Sequence, residues 1–149
     1  MNEKTSILIC DDEKTHADLV QLYLKKAGFS NPVTYYDSGK ALLSALSDIS
    51  MQSNFPLNLT HLIMLDIRMP KMNGFEVLLK LRATTAFKNI QVVMFTSIDD
   101  PDAVDECMHL GCAGYITKPI YFGLLIDTTG RVLSESFMGE NKMVSTMRI

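Results

Sequence analysis

No stretch of this 149-residue chain gathers lysines and arginines, and its net charge is −3. That disfavours a nucleic-acid-binding surface, which needs a basic patch or stripe. No apolar run approaches the ~20 residues of a membrane-spanning helix. The amino terminus, MNEKTS, lacks the apolar core of a secretion signal, and the first apolar stretch after it has the length of a strand. The three cysteines, Cys10, Cys107 and Cys112, contain no CxxC pair and leave an odd count. They read as buried free thiols in a reducing compartment, so a cytoplasmic domain is expected. Also missing are GxxxxGK[ST] and GxGxxG, the glycine-rich loops that cradle nucleotide phosphates. There is no internal repeat, low-complexity tract or interdomain linker.

What is present is a globular composition, 47% hydrophobic and 21% charged, at the length of one domain. The chain is organised around His61–Gly74, HLIMLDIRMPKMNG. Leu62-Ile63-Met64-Leu65 is the kind of run that a parallel strand buried on both faces requires. It stops at Asp66; Arg68, Pro70, Asn73 and Gly74 supply turn chemistry, and a helical pattern starts at Phe75. Asp66 is too far from that helix to cap it, which leaves the role of a reactive group or a ligand.

The same alternation fills the rest of the chain. Ser6–Cys10, Pro32–Tyr36, Ile90–Phe95 and Ala113–Ile116 read as the other strands. Ala17, Val20, Leu24 and Ala27 mark one helix, closed by Gly28. Leu42, Ala45, Leu46 and Ile49 mark a second, capped by Asp37 or Ser38. Phe75, Leu78, Leu79 and Arg82 carry a third, to about Thr85. A fourth opens on Asp99 or Asp100 with Pro101 and ends at Gly111. A fifth lies within Tyr121–Phe137, weakened by Thr128, Thr129 and Gly130. Met51–Thr60 reads as a long loop and Gly139–Ile149 as a flexible tail, so the domain occupies residues 1–138. Five strands alternating with five helices predict an α/β doubly wound parallel sheet, covered on both faces.

In such a sheet all strand ends open on one edge. Asp11 and Asp12, Asp66, Thr96 and Ser97, and Lys118 therefore converge. Three carboxylates about 4 Å apart repel by roughly 4 kcal/mol per pair near a protein surface. Protonation, a cation or Lys118 must relieve this. Oxygen ligands with no His or Cys nearby select a hard ion, Mg²⁺ before Ca²⁺ or zinc, and Mg²⁺ so held commonly serves a phosphate. Thr96 and Lys118 are suited to hold phosphoryl oxygens, and one carboxylate remains as nucleophile.

This set, DD at 11–12, D at 66, T at 96 and KP at 118–119, resembles the receiver domain of two-component response regulators. LDIRMPKMNG, with Pro70 and Gly74 four and eight places after Asp66, is similar to that family's phosphorylation signature. The resemblance spans about residues 5–137. It implies a flavodoxin-like sheet of order 2-1-3-4-5, and that Asp66 accepts a phosphoryl group from a sensor histidine kinase or histidine phosphotransfer protein. It further implies that Asp12 ligates Mg²⁺ directly, that Asp11 assists, and that the Arg68 backbone carbonyl is another ligand. Thr96 and Lys118 would bind the phosphoryl group, with Lys118-Pro119 a cis peptide. Tyr115 falls at the aromatic switch position coupled to Thr96, so that phosphorylation alters the face of the fourth helix, fifth strand and fifth helix. A downstream protein, or a second copy in a homodimer, would read that face.

The long Met51–Thr60 segment resembles that of single-domain receivers paired with bacterial phytochromes. With no effector domain following, output by protein contact or phosphoryl relay is expected, not direct contact with nucleic acid or membrane. The chain would not be an enzyme beyond its own Mg²⁺-dependent phosphorylation and dephosphorylation. A haloacid-dehalogenase phosphatase would need DxDx[TV] after the first strand, where CDDEKT stands. The remaining alternative is a receiver used only for docking, without phosphorylation.

Overall fold

The computed structural model describes residues 5–52, 57, 60–97 and 101–138. Five strands, β1 (Ser6–Cys10), β2 (Val33–Tyr36), β3 (His61–Asp66), β4 (Gln91–Thr96) and β5 (Gly114–Thr117), alternate with five helices. These are α1 (Lys14–Lys26), α2 (Gly39–Gln52), α3 (Gly74–Ala83), α4 (Pro101–His109) and α5 (Phe122–Met138). All strand pairs are parallel, in the order β2-β1-β3-β4-β5. This is the flavodoxin-like doubly wound sheet expected from the sequence.

Successive side chains of a strand point to opposite faces, so each apolar run feeds two cores. Ile7 and Ile9, Leu62 and Met64, and Val93 and Phe95 pack on one side, with Ala17, Val20 and Leu24 of α1 and Leu125, Val132 and Leu133 of α5. Leu8 and Cys10, Ile63 and Leu65, and Val92 and Met94 pack on the other, with Leu42 and Leu46 of α2, Leu78 of α3 and Cys107 of α4. Hence the strands read as continuous apolar runs, and the helices as single stripes.

Several local expectations need correction. Leu79 does not face the core but is 51% exposed; Val77, Leu78 and Leu81 make the buried stripe of α3 instead. Met51 and Gln52 belong to α2 rather than to a loop, and Leu57 is buried in the core. Apart from Thr60, the rest of that loop lies outside the described residues, as do Asp99, Asp100 and the tail 139–149. The weak helix formers Thr128, Thr129 and Gly130 do not interrupt α5, which runs unbroken to Met138. Both threonines are buried, and packing of that face outweighs propensity.

Turn chemistry sets the helix ends nearest the site. The Asn73 side chain accepts from the Glu76 backbone N–H while Glu76 accepts from that of Asn73, a reciprocal cap that starts α3. Ser38 Oγ accepts from the Ala41 N–H before α2, as expected. At the end of α4, Gly111 takes φ 78, with Gly111 N–H donating to the Met108 carbonyl and Cys112 N–H to that of Cys107.

Candidate functional site

Parallel strands deliver their carboxyl ends to one edge, and register decides which ends are neighbours. Cys10 pairs with Leu65, Asp66 with Phe95, and Thr96 with Thr117. Asp11 and Asp12, Asp66, Thr96 and Lys118 thus stand side by side, as the sequence indicated. Asp11, Asp66 and Thr96 are buried, whereas Asp12 is exposed. One oxygen from each of the three aspartates lies within 4.8 Å of the others. The donor set is all oxygen and matches a hard divalent cation such as Mg²⁺.

Lys118 supplies the counter-charge. Its Nζ donates to Asp11 Oδ2 at 2.7 Å and lies 3.5 Å from Asp66 Oδ2. The Lys118 backbone N–H donates to the Thr96 carbonyl at 2.7 Å, and Lys118-Pro119 is cis. Asp11 Oδ1 accepts from the Glu13 N–H at 2.9 Å, so Asp11 also fixes the turn into α1.

Asp66 receives less help. Its Oδ1 accepts from the Arg68 N–H at 3.2 Å. Burial pushes its carboxyl up to about 6, and the charge of Asp11 pushes the same way; Lys118 and the Arg68 N–H act in opposition. The repulsion anticipated from sequence is thus relieved in part by Lys118 and in part by a raised proton affinity at Asp66. Beneath the site the Cys10 thiol donates to Met69 Sδ at 3.7 Å; burial, then the charge of Asp11, pushes it up to about 12.

The loop after Asp66 carries the outer wall. Met72 N–H donates to the Pro70 carbonyl across Lys71, whose φ of 69 marks the rarer, strained γ-turn. A depression of about 510 Å³ opens there, lined by Asp12, Arg68, Pro70 and Asn73 among others, and the Arg68 side chain is exposed beside it. Tyr115 is paired in register with Met94, so it shares a sheet face with Thr96, and it is half-buried against the core under α4.

The expectation that no histidine stands near the site needs correction, although the acid cluster itself is all oxygen. A histidine is present after all: His16 Nδ1 is 3.2 Å from Asp11 Oδ2 and 2.6 Å from Lys118 Nζ. Cys10 adjoins Asp11 as well, though its raised proton affinity keeps it a thiol. His16 was legible in principle, since it lies in the first turn of α1, four residues after Asp12.

A depression of about 420 Å³ lies at the opposite sheet edge, around Arg82, Lys88 and Gly111. There the Arg82 guanidinium donates to the carbonyls of Leu110, Lys88, Ile90 and Gly111. Four of its five N–H groups are thus engaged in tying loops together.

Fold and site together define an α/β domain with an acid cluster and a lysine at a sheet edge. Residues 7–129 match the response regulator receiver domain family, and the chain belongs to it. A probable methanogenesis regulatory protein, FilR2 of Methanothrix harundinacea, is 27% identical over 91% of this chain and 85% of its own length. Of the two-component response regulator ORR1 of Oryza sativa subsp. japonica, also 27% identical over 78% of this chain, the match spans only half the length. Among solved structures, the bacteriophytochrome response regulator RtBRR is 30% identical, with a TM-score of 0.72 over 87% of this chain and 77% of that one.

Proposed function

We propose that this receiver is a phosphoacceptor. Asp66 takes the phosphoryl group from a phosphohistidine on a sensor kinase or phosphotransfer protein, and a downstream protein reads the result. The observation that supports this most is a desolvated carboxylate, Asp66, placed 3.5 Å from a lysine ammonium and clustered with two more carboxylates. An Asp66 oxygen bonds to phosphorus while the P–N bond breaks. The imidazole nitrogen keeps the bonding pair and takes up a proton, leaving an acyl phosphate on Asp66. Mg²⁺ held by Asp11, Asp12, Asp66 and the Arg68 carbonyl would supply charge neutralisation at the phosphoryl oxygens. Lys118 and the Thr96 hydroxyl would hold the remaining oxygens.

The added charge then biases a pre-existing equilibrium. As Thr96 and Lys118 are drawn to the phosphoryl group, Tyr115, on the same sheet face as Thr96, turns inward and the α4-β5-α5 surface changes. A partner, or a second copy, would be sensitive to that surface. A reducing cytoplasm suits the three buried, unpaired thiols.

The test is intact mass after incubation with acetyl phosphate and Mg²⁺. One phosphoryl adduct is expected, absent in Asp66→Asn and absent with EDTA. A folded wild-type chain that takes no adduct would leave the docking-only reading in its place.

Arg68 bears on how long the adduct lasts. Its side chain is exposed at the rim two residues from Asp66, and on this proposal it screens the acyl phosphate from water. Arg68→Ala is expected to dephosphorylate several-fold faster, measured by loss of the adduct after donor removal. Equal rates would show that this side chain has no part in the lifetime.

A further inference from the structure

Lys118 is the cation of the site, yet its tightest contact is with a ring nitrogen. Lys118 Nζ lies 2.6 Å from His16 Nδ1, 2.7 Å from Asp11 Oδ2 and 3.5 Å from Asp66 Oδ2. An ammonium has only hydrogens to offer, so at this distance Nδ1 is the acceptor and carries no proton. The ring proton then sits on Nε2, which faces Glu13 Oε2 at 3.2 Å. The 3.2 Å approach of Nδ1 to Asp11 Oδ2 follows, because two acceptors share one ammonium. The arrangement is partly enclosed: the Lys118 side chain is 10% exposed and His16 34%.

We propose that His16 is a positioning residue for Lys118. Glu13 orients the ring through Nε2, and Nδ1 gives the ammonium a neutral acceptor on the Asp11 side of the site. The preference of Nζ for Asp11 over Asp66, 2.7 against 3.5 Å, is the consequence. With Nδ1 removed, the acceptors left to the ammonium among the described residues are the two carboxylates, and it closes on Asp66. A lysine bonded to the attacking oxygens blunts the nucleophile and stands where the incoming phosphoryl group must sit. His16 therefore keeps Lys118 close enough to meet that group without occupying Asp66 beforehand. The inference rests on the phosphoacceptor reading for its consequence, but not for the contact itself.

Two measurements on the full chain test it. The first is two-bond ¹H–¹⁵N correlation of the imidazole at mildly alkaline pH, in wild type and Lys118→Met. A protonated Nε2 and a hydrogen-bonded, unprotonated Nδ1 whose shift changes in Lys118→Met are expected. A proton on Nδ1, or a shift indifferent to Lys118, overturns the proposal. The second is the maximum rate of adduct formation from acetyl phosphate in His16→Leu and His16→Gln. Loss of a charge-assisted hydrogen bond sets the expected fall in His16→Leu at roughly tenfold, with His16→Gln, which keeps an acceptor, recovering most of it. Two folded variants with equal rates, whether unchanged or equally slowed, would overturn it too, because a space-filling role does not distinguish leucine from glutamine by acceptor. If wild type itself takes no phosphoryl group, the phosphoacceptor reading has failed, and the imidazole spectrum still decides whether His16 holds Lys118.

Discussion

Asp66→Asn is expected to be more stable than the parent chain at neutral pH, and no more stable at the pH of an ordinary aspartate. The Asp66 carboxyl is raised from 3.8 to about 6, first by burial and then by the charge of Asp11. A raised folded-state value means that the native chain binds this proton more tightly than the unfolded chain does. Between pH 3.8 and about 6 the native state therefore holds more protons, and stability falls as pH rises through that window. Above it the native chain carries a desolvated charge at a cost on the order of 3 kcal/mol. An amide of the same shape removes that cost. The check is Tm against pH without metal: the two curves should converge toward pH 4 and separate above 6. A separation that is constant across the range would place the effect in packing rather than in ionisation. If Mg²⁺ binds as proposed, it should raise the Tm of wild type more than that of Asp66→Asn, because ligand binding to the native state adds stability by mass action. The destabilising charge would then be the property that makes the site bind a cation.

How much of this was readable beforehand follows from the physics of each element. Strands buried on both faces have no polar face to lose, so ILIC, LIML and VVMF stood out as uninterrupted apolar runs. The carboxylate or hydroxyl that ended each run fixed a point on the sheet edge. Parallel topology then converted a list of positions into a site. Helices were harder, because a stripe can be misphased by one residue: Leu79 and Val77 are both apolar, and the packing of α3 against the sheet decides that Val77 is inside. Leu57 illustrates the same limit, a single apolar residue in a polar stretch that tertiary structure recruits to the core. His16 was missed for a different reason. It stands not at a strand end but in the first turn of α1, where Asp11, Glu13 and His16 meet through contacts of 2.9 to 3.2 Å. Its place beside Asp11 is legible along the chain, but that it would meet a lysine has no signature in composition or periodicity. It becomes visible when Lys118, 102 residues away, arrives beside it.

Gly74→Ala should damage both the fold and the chemistry, through one contact. A Cβ built on Gly74 would clash with the backbone carbonyl oxygen of Asp66 and lie 2.7 Å from Ile67 Cα and 2.9 Å from the Asp66 carbonyl carbon. These are main-chain atoms, which cannot swing aside as a flexible side-chain end can. The first turn of α3 is also tied to the strand end, since the Gly74 N–H donates to the Ile67 carbonyl at 2.8 Å. Either α3 moves away and that bond is lost, or the end of β3 moves and takes Asp66 with it. Overpacking of this kind costs about 3 kcal/mol, visible as a lower Tm. If β3 yields, Asp66 is displaced from Lys118 and from its neighbouring carboxylates, and an error of about 1 Å in a reacting group can lower the rate of adduct formation roughly 100-fold. If α3 yields instead, Tm falls while the rate from acetyl phosphate stays near that of wild type. Gly130→Ala is the control, because nothing lies within 4 Å of a Cβ there and Gly130 sits inside α5. The same added methyl should stabilise by up to about 1 kcal/mol, from helix propensity alone. The opposite signs separate the general effect of replacing a helical glycine from the particular one of crowding Asp66. We expect β3 to yield: the capping exchange between Asn73 and Glu76 and the buried Val77, Leu78 and Leu81 hold α3 in place, whereas the chain after Asp66 runs out into a loop. The glycine eight residues after Asp66 would then be part of the proposed site, acting through the backbone of the proposed phosphoacceptor.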